Sequence, residues 1–183
     1  MKRIFNFQFS IYKTLLNPFL LITAGALLRL APHEPNVAPI SAMALFGGAY
    51  LSRKSALIFP LLVMVVSDLF LGFHDTIGWV YASFILIALI GMTLHTRVSI
   101  GTVLFATVSS SILFYLITNF GVWATGTMYS KDLSGLLQSY TMAIPFFRNT
   151  LLGDVFYTGV FFGGYELLSA YAKRNLLAPA MSK

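Results

Sequence analysis

An all-α integral membrane bundle of six transmembrane helices is the fold class that three features of the sequence predict. Hydrophobic residues make up 57% of the 183-residue chain and charged residues only 10%, with a mean hydropathy of +0.80. A water-soluble domain of this size has too little interior to hide that much apolar surface, so lipid is the expected solvent for most side chains. Apolar segments recur near residues 14–30, 37–51, 55–72, 77–94, 98–121 and 149–171. Their separators place Lys2, Arg3, Lys13, Arg53, Lys54, Arg97, Lys173, Arg174 and Lys183 on one side, and Arg29, Lys131 and Arg148 on the other. Because basic residues are retained inside, this bias predicts that both termini are cytoplasmic. No linker, repeat or low-complexity tract divides residues 1–183, which read as a single membrane domain.

Each element has its own justification. The stretch "LLNPFLLITAGALL" after Lys2, Arg3 and Lys13 has the charge pattern of a signal peptide. No small-x-small cleavage site follows and further spans do, so it reads as span one. Span two is short. A helix starting at Pro39, a favoured first-turn residue, has about thirteen residues before Arg53. That is about 20 Å, against about 30 Å of hydrocarbon. Arg53 and Lys54 pin its inner end, so "RLAPHEPNVAP" (Arg29–Pro39) is expected to dip towards the membrane. Irregular backbone at that depth is tolerated only beside protein or a water-filled cavity. In the long fifth connection, 122–148, Leu133, Leu136, Leu137 and Tyr140 follow Ser130 at helical spacing. This predicts an interfacial helix in the outer loop between spans five and six, N-capped by Ser130 and serving as lid or anchor.

Polar residues gather in the outer layer. An ionised group at the centre of a span costs at least about 2.5–3.5 kcal/mol, so such residues normally face the bundle interior. The candidate ligand-binding set is Arg29, His33, Asn36, Asp68, His74, Tyr115, Asn119, Trp123, Arg148, Asn149, Asp154 and Tyr157. Tyr115, Asn119 and Trp123 recur every fourth residue, a stripe suited to stacking on a flat ligand, although Trp123 alone also suits an interfacial aromatic belt. Tyr157 shares a helical face with Asp154. The alternative is structural: Arg29 paired with Asp68 or Asp154 would lock helix positions. Two pairs of small residues four apart, Ala44 with Gly48 and Gly159 with Gly163, are expected to pack helix against helix.

Several chemistries are not expected. The chain has no cysteine, which removes disulfides, thiolate metal sites and cysteine nucleophiles. His33 beside Glu34 and His74 beside Asp75 are sequence neighbours that do not point together on a helix. His95 falls at the opposite end, so no metal site is expected. No nucleophile–base pairing or HExxH motif indicates an enzyme, and no glycine loop could bind phosphates, so ATP hydrolysis would belong to another chain. The net charge of +6 sits mostly in cytoplasmic flanks, as expected for a bilayer partner and not for nucleic acid. No cofactor is expected.

The blocks "NVAPISAMALFGGAYL", "PLLVMVVSDLFLGFH", "YLITNFGVW" and "GLLQSYTMAIPFFRNTLLGD" occur in this order within residues 24–168. They resemble an uncharacterised family of bacterial integral membrane proteins related to the S components, the substrate-binding subunits of energy-coupling-factor transporters. The resemblance implies an S-component-like bundle in the bacterial cytoplasmic (inner) membrane, multi-pass. It also implies uptake of a small vitamin-like molecule, extending to a cobalamin-type cofactor, captured in an outward-facing cavity. Loops corresponding to Arg29–Pro39 and Gly72–Asp75 would contact it, and separate energy-coupling transmembrane and ATPase subunits would be partners. Two departures stand out. S components dock through alanines four apart on span one, where this chain has Ala24, Gly25 and Ala26; its nearest equivalent is Ala44 with Gly48 on span two. Nickel and cobalt S components use a histidine at position two, where this chain has Lys2. The competing expectation is a non-transporting scaffold protein of a cell-envelope membrane complex.

Overall fold

The structure is a computed structural model that describes residues 17–30, 34, 36–172 and 174. Among these residues the ordered elements are all helical. They are α1 (Pro18–Leu30), α2 (Ile40–Tyr50), α3 (Arg53–Leu71), α4 (Ile77–Thr93), α5 (Ile100–Thr125), α6 (Leu133–Thr158) and α7 (Gly164–Ala172). A 3-10 turn, Leu94–Thr96, extends α4, and a π-helical turn, Gly159–Gly163, joins α6 to α7. Side chains start the long helices. Ser52 accepts from Ser55 N–H at 3.4 Å, Ser99 and Thr102 form a reciprocal capping box, and Asp132 accepts from Gly135 N–H at 2.8 Å. Gly72 ends α3 with φ +93°, a conformation that glycine adopts without steric cost.

The segments Arg53–Leu71, Ile77–Thr96 and Ile100–Thr125 are long and apolar enough to cross a membrane; Pro18–Leu30 and Ile40–Tyr50 are shorter apolar helices. Large apolar side chains point outward from the long helices, Phe70 and Phe105 each being 76% exposed. Inside lie Ser67, Ser83, Thr107, Ser110 and Ser111. This inside-out pattern suits a bundle whose outer solvent is lipid and whose helices meet through small residues.

The short helix α2 is the centre of the bundle. Every residue from Ile40 to Ala49 is buried, as expected of a helix apolar on nearly all sides. Helices α1, α3, α4 and α6 pack around it, and α5 lies against α4 and α6. Backbones approach closely where α2 crosses α4. A Cβ on Gly48 would sit 2.5 Å from the Ala88 carbonyl oxygen, and one on Gly91 would sit 2.5 Å from that of Leu45. Ala44 and Gly48 are thus enclosed by this chain's own helices. They are not a surface offered to another subunit.

Two expectations are corrected. The helix beginning at Leu133 is not a separate interfacial element: α6 runs unbroken from Leu133 to Thr158, with Pro145 inside it and Asp132 as its N-cap in place of Ser130. The reason is the buried face, which is continuous through Gly135, Ser139, Ala143, Thr150 and Asp154. These small and polar residues pack inward, while Leu133 and Leu137 are 71% and 58% exposed. Nor, among the described residues, does another helix pack on Gly159 and Gly163, since a Cβ added at either meets nothing within 4 Å. The π turn holds both on the outer side and turns Phe161 and Phe162 inward, their rings 5.7 and 5.3 Å from that of Phe46.

Candidate functional site

A cavity of about 670 Å³ opens between the N-terminal half of α2, one end of each of α1, α3 and α4, and the facing stretches of α5 and α6. Arg29, Asn36, His74, Tyr115, Asn119 and Asp154 line it, so six of the sequence-predicted ligand residues meet at one space. Phe84, Phe114, Phe146 and Phe147 supply much of the remaining wall. A second cavity of about 460 Å³ shares Asn36, Asn119, Ala143 and Phe146 with the first.

Helical spacing explains the two largest walls. On α5, Ser111, Tyr115 and Asn119 follow one another every four residues; on α6, Ala143, Phe147, Thr150 and Asp154 do the same at three- and four-residue steps. Tyr115 donates its hydroxyl to the Tyr140 carbonyl at 2.7 Å, and its ring lies 4.8 Å from that of Phe147. The Asn119 amide nitrogen donates to the Tyr115 carbonyl at 2.8 Å, which orients the side chain. Ser139 donates to the Asn119 backbone carbonyl at 2.9 Å, tying α6 to α5.

The two buried acids have different surroundings. Asp68 is 2% exposed, and its Oδ1 lies 2.5 Å from Arg29 Nη2 while its Oδ2 accepts the Tyr81 hydroxyl at 2.6 Å. Arg29 also donates to the Ser67 hydroxyl and to the Met64 carbonyl. Asp68 therefore stands behind the cavity wall and holds Arg29 at its edge. Asp154 is equally buried, yet its partners are hydroxyls: Ser111 donates to Oδ2 at 2.7 Å, and Ser41 hydrogen-bonds the same carboxyl group. Among the described residues no basic side chain pairs with Asp154, and the Arg29–Asp68 contact is the ion pair present.

The loop before α2 closes one side. Asn36 adopts φ +65°, a left-handed conformation that asparagine tolerates better than most residues. Val37 N–H donates to the Glu34 carbonyl at 3.0 Å. Gly153 admits this loop, since a Cβ there would lie 3.1 Å from Val37 Cα.

Other expected residues lie apart. Trp123 sits a turn beyond the cavity, donating its indole N–H to the Ser130 carbonyl at 2.9 Å with the Lys131 ammonium 5.9 Å from its ring centre. Lys131 also donates to the Trp123 and Gly126 carbonyls, closing the 126–132 turn. There the Gly135 N–H, and secondly the Ser130 hydroxyl, hold the Asp132 carboxyl below its ordinary pKa. Arg148 is exposed, Asn149 half-buried and Tyr157 packed on the hydrophobic core; none of the three lines the cavity. His33 lies outside the described residues. Among the described residues, no group of three His, Cys, Asp or Glu side chains converges as a metal site.

A family model described as a family of unknown function (DUF6580) matches residues 9–178. The chain belongs to DUF6580. No curated protein and no solved structure matches it. For this DUF6580 chain, then, the site rests on geometry.

The phenylalanine walls escaped sequence reading, and so did four residues that serve Arg29 and the two buried acids. Ser111 had a signal, since "SSS" at 109–111 is an unusual polar run inside an apolar helix. Ser67 and Ser41 had weaker ones, the first next to Asp68 and the second two residues after Pro39. Tyr81 had none, because nothing in the sequence joins it to an acid thirteen positions earlier.

Proposed function

We propose that this chain is a membrane-embedded substrate-binding subunit, S-component-like, that captures a small vitamin-like molecule in an outward-facing cavity. The observation that carries this reading is the convergence of Arg29, Asn36, His74, Tyr115, Asn119 and Asp154 on one cavity walled by phenylalanines. Apolar walls with a few convergent polar groups are the usual make-up of a small-molecule site. Ionisable residues kept within a membrane bundle are a functional signal by default. A volume of about 670 Å³ suits a compact ligand better than a cobalamin-type one.

In this reading six segments cross the bacterial cytoplasmic membrane, both termini are cytoplasmic, and the cavity faces out. The chain binds but does not catalyse. Energy comes from separate transmembrane and ATPase subunits. With Ala44 and Gly48 enclosed, such partners would dock on another surface.

One observation favours the second reading, a non-transporting scaffold: the Arg29 guanidinium is already engaged by Asp68, Ser67 and Met64, as a structural lock would be.

A cysteine-free chain allows a direct test. Thr118→Cys places one thiol in the cavity wall. In intact spheroplasts it should react with a membrane-impermeant maleimide added outside, and one member of a vitamin panel should protect it. Labelling only from the cytoplasmic side, or no protection by any member, would defeat the proposal.

A further inference from the structure

We infer that the ligand of this cavity is an organic monocation with a flat aromatic part, and that Asp154 is its charge partner. The inference rests on the binding-subunit reading above and narrows the class of molecule bound.

Charge pairing comes first. Arg29 would draw an anionic ligand if it were free, but its guanidinium lies 2.5 Å from Asp68 and also bonds Ser67. Those two charges offset each other. Asp154, 2% exposed at the cavity wall, has no cation among the described residues. Its hydrogen-bond partner is the Ser111 hydroxyl, which donates to Oδ2 at 2.7 Å and carries no charge. A carboxylate ionised in such a place is costly without a countercharge, and a cation in the cavity would offset that cost. Lysine and arginine could have supplied it from the chain; here the position opposite Asp154 is cavity.

The wall chemistry agrees. Phe84, Phe114, Tyr115, Phe146 and Phe147 bring five rings to the same space. Ring faces attract cations and stack on flat π systems, and they offer an anion nothing. A carboxylate together with several aromatic rings is the arrangement that recognises an aromatic or quaternary ammonium-type cation. The Asn119 amide, its nitrogen engaged by the Tyr115 carbonyl, can turn its oxygen to a ligand N–H. That is a further acceptor, again suited to a nitrogen-bearing cation.

The test uses the full chain in lipid nanodiscs and three probes of one shape: N-methylquinolinium as cation, quinoline as neutral isostere and 2-naphthoate as anion. Binding is read by calorimetry at pH 8, where quinoline is uncharged. The expected order places the cation at least tenfold tighter than quinoline, with the naphthoate weakest. Asp154→Asn should remove the cation's advantage over quinoline, and Asp154→Glu should restore the preference. If quinoline or naphthoate binds as tightly as the cation to the unsubstituted chain, the charge assignment is overturned while the binding-subunit reading stands. If no probe binds and no vitamin protects the Thr118→Cys thiol, both fall. The ranking on the unsubstituted chain decides the matter even where Asp154→Asn fails to fold.

Discussion

Arg29, at the end of α1, reaches α3 to place Nη2 2.5 Å from Asp68 Oδ1, and the pair is nearly closed off, with side chains 13% and 3% exposed. This contact joins residues 39 positions apart and sets the edge of the cavity. A charge buried in such surroundings is tolerable only while its partner remains.

Breaking the pair from either side should therefore be costly. Arg29→Met or Asp68→Asn alone is expected to destabilise the bundle by about 3–5 kcal/mol, because each strands one buried polar partner. The double variant should recover part of that loss. Thermal unfolding of all four proteins in one detergent measures the coupling. Additive losses would show that the pair is not a structural unit.

The crossing of α2 and α4 should be intolerant of bulk. Gly48→Ala is expected to cost about 1–3 kcal/mol, since its Cβ would press on the backbone of Ala88 and Gly91. Gly163→Ala should be neutral within about 0.5 kcal/mol, since a Cβ there would meet nothing among the described residues. Equal effects at the two sites would contradict the packing described.

Sequence reading went furthest where chemistry is local. The short second helix followed from Pro39 and Arg53 bracketing too few residues to cross a bilayer, and the described helix is Ile40–Tyr50. Arg29, Asn36, His74, Tyr115, Asn119 and Asp154 stood out as polar groups in apolar surroundings, and the structure brings them to one cavity. What failed was the extent of α6, which runs unbroken from Leu133 to Thr158. Leucines at helical spacing read as the apolar face of a short interfacial helix in the outer loop. In a bundle with an apolar exterior, Gly135, Ser139 and Ala143 make the better interior, and the leucines turn out. Which acid pairs with Arg29 was also illegible, because periodicity places residues on faces but does not set the distance between helices.

Asn119 should matter to binding more than to folding. Its side-chain amide makes an intrahelical bond to the Tyr115 carbonyl and otherwise faces the cavity. Asn119→Ala is expected to weaken retention of a co-purifying small molecule at least tenfold, about 1.4 kcal/mol, with the melting temperature nearly unchanged. A large fall in melting temperature with binding intact would place the residue in the scaffold instead.

The N-terminus of α6 should loosen in acid. Because the Gly135 N–H and the Ser130 hydroxyl lower the Asp132 pKa in the folded chain, its capping contribution is full above the ordinary carboxylate pKa. It is lost as pH falls through the lowered, folded value. Hydrogen exchange at the Gly135 amide should accelerate over that interval relative to Asp132→Asn, which has no such titration. Identical pH profiles for the two proteins would rule the cap out as the cause.

The most direct measurement is native mass spectrometry of the full chain, released from nanodiscs made straight from the expressing membranes. The expected result is a bound small-molecule mass that is retained by the unsubstituted chain and lost from Asp154→Asn. A chain that emerges bare from its own membranes, and stays bare when a vitamin panel is added, would contradict the central claim that this cavity is a binding site.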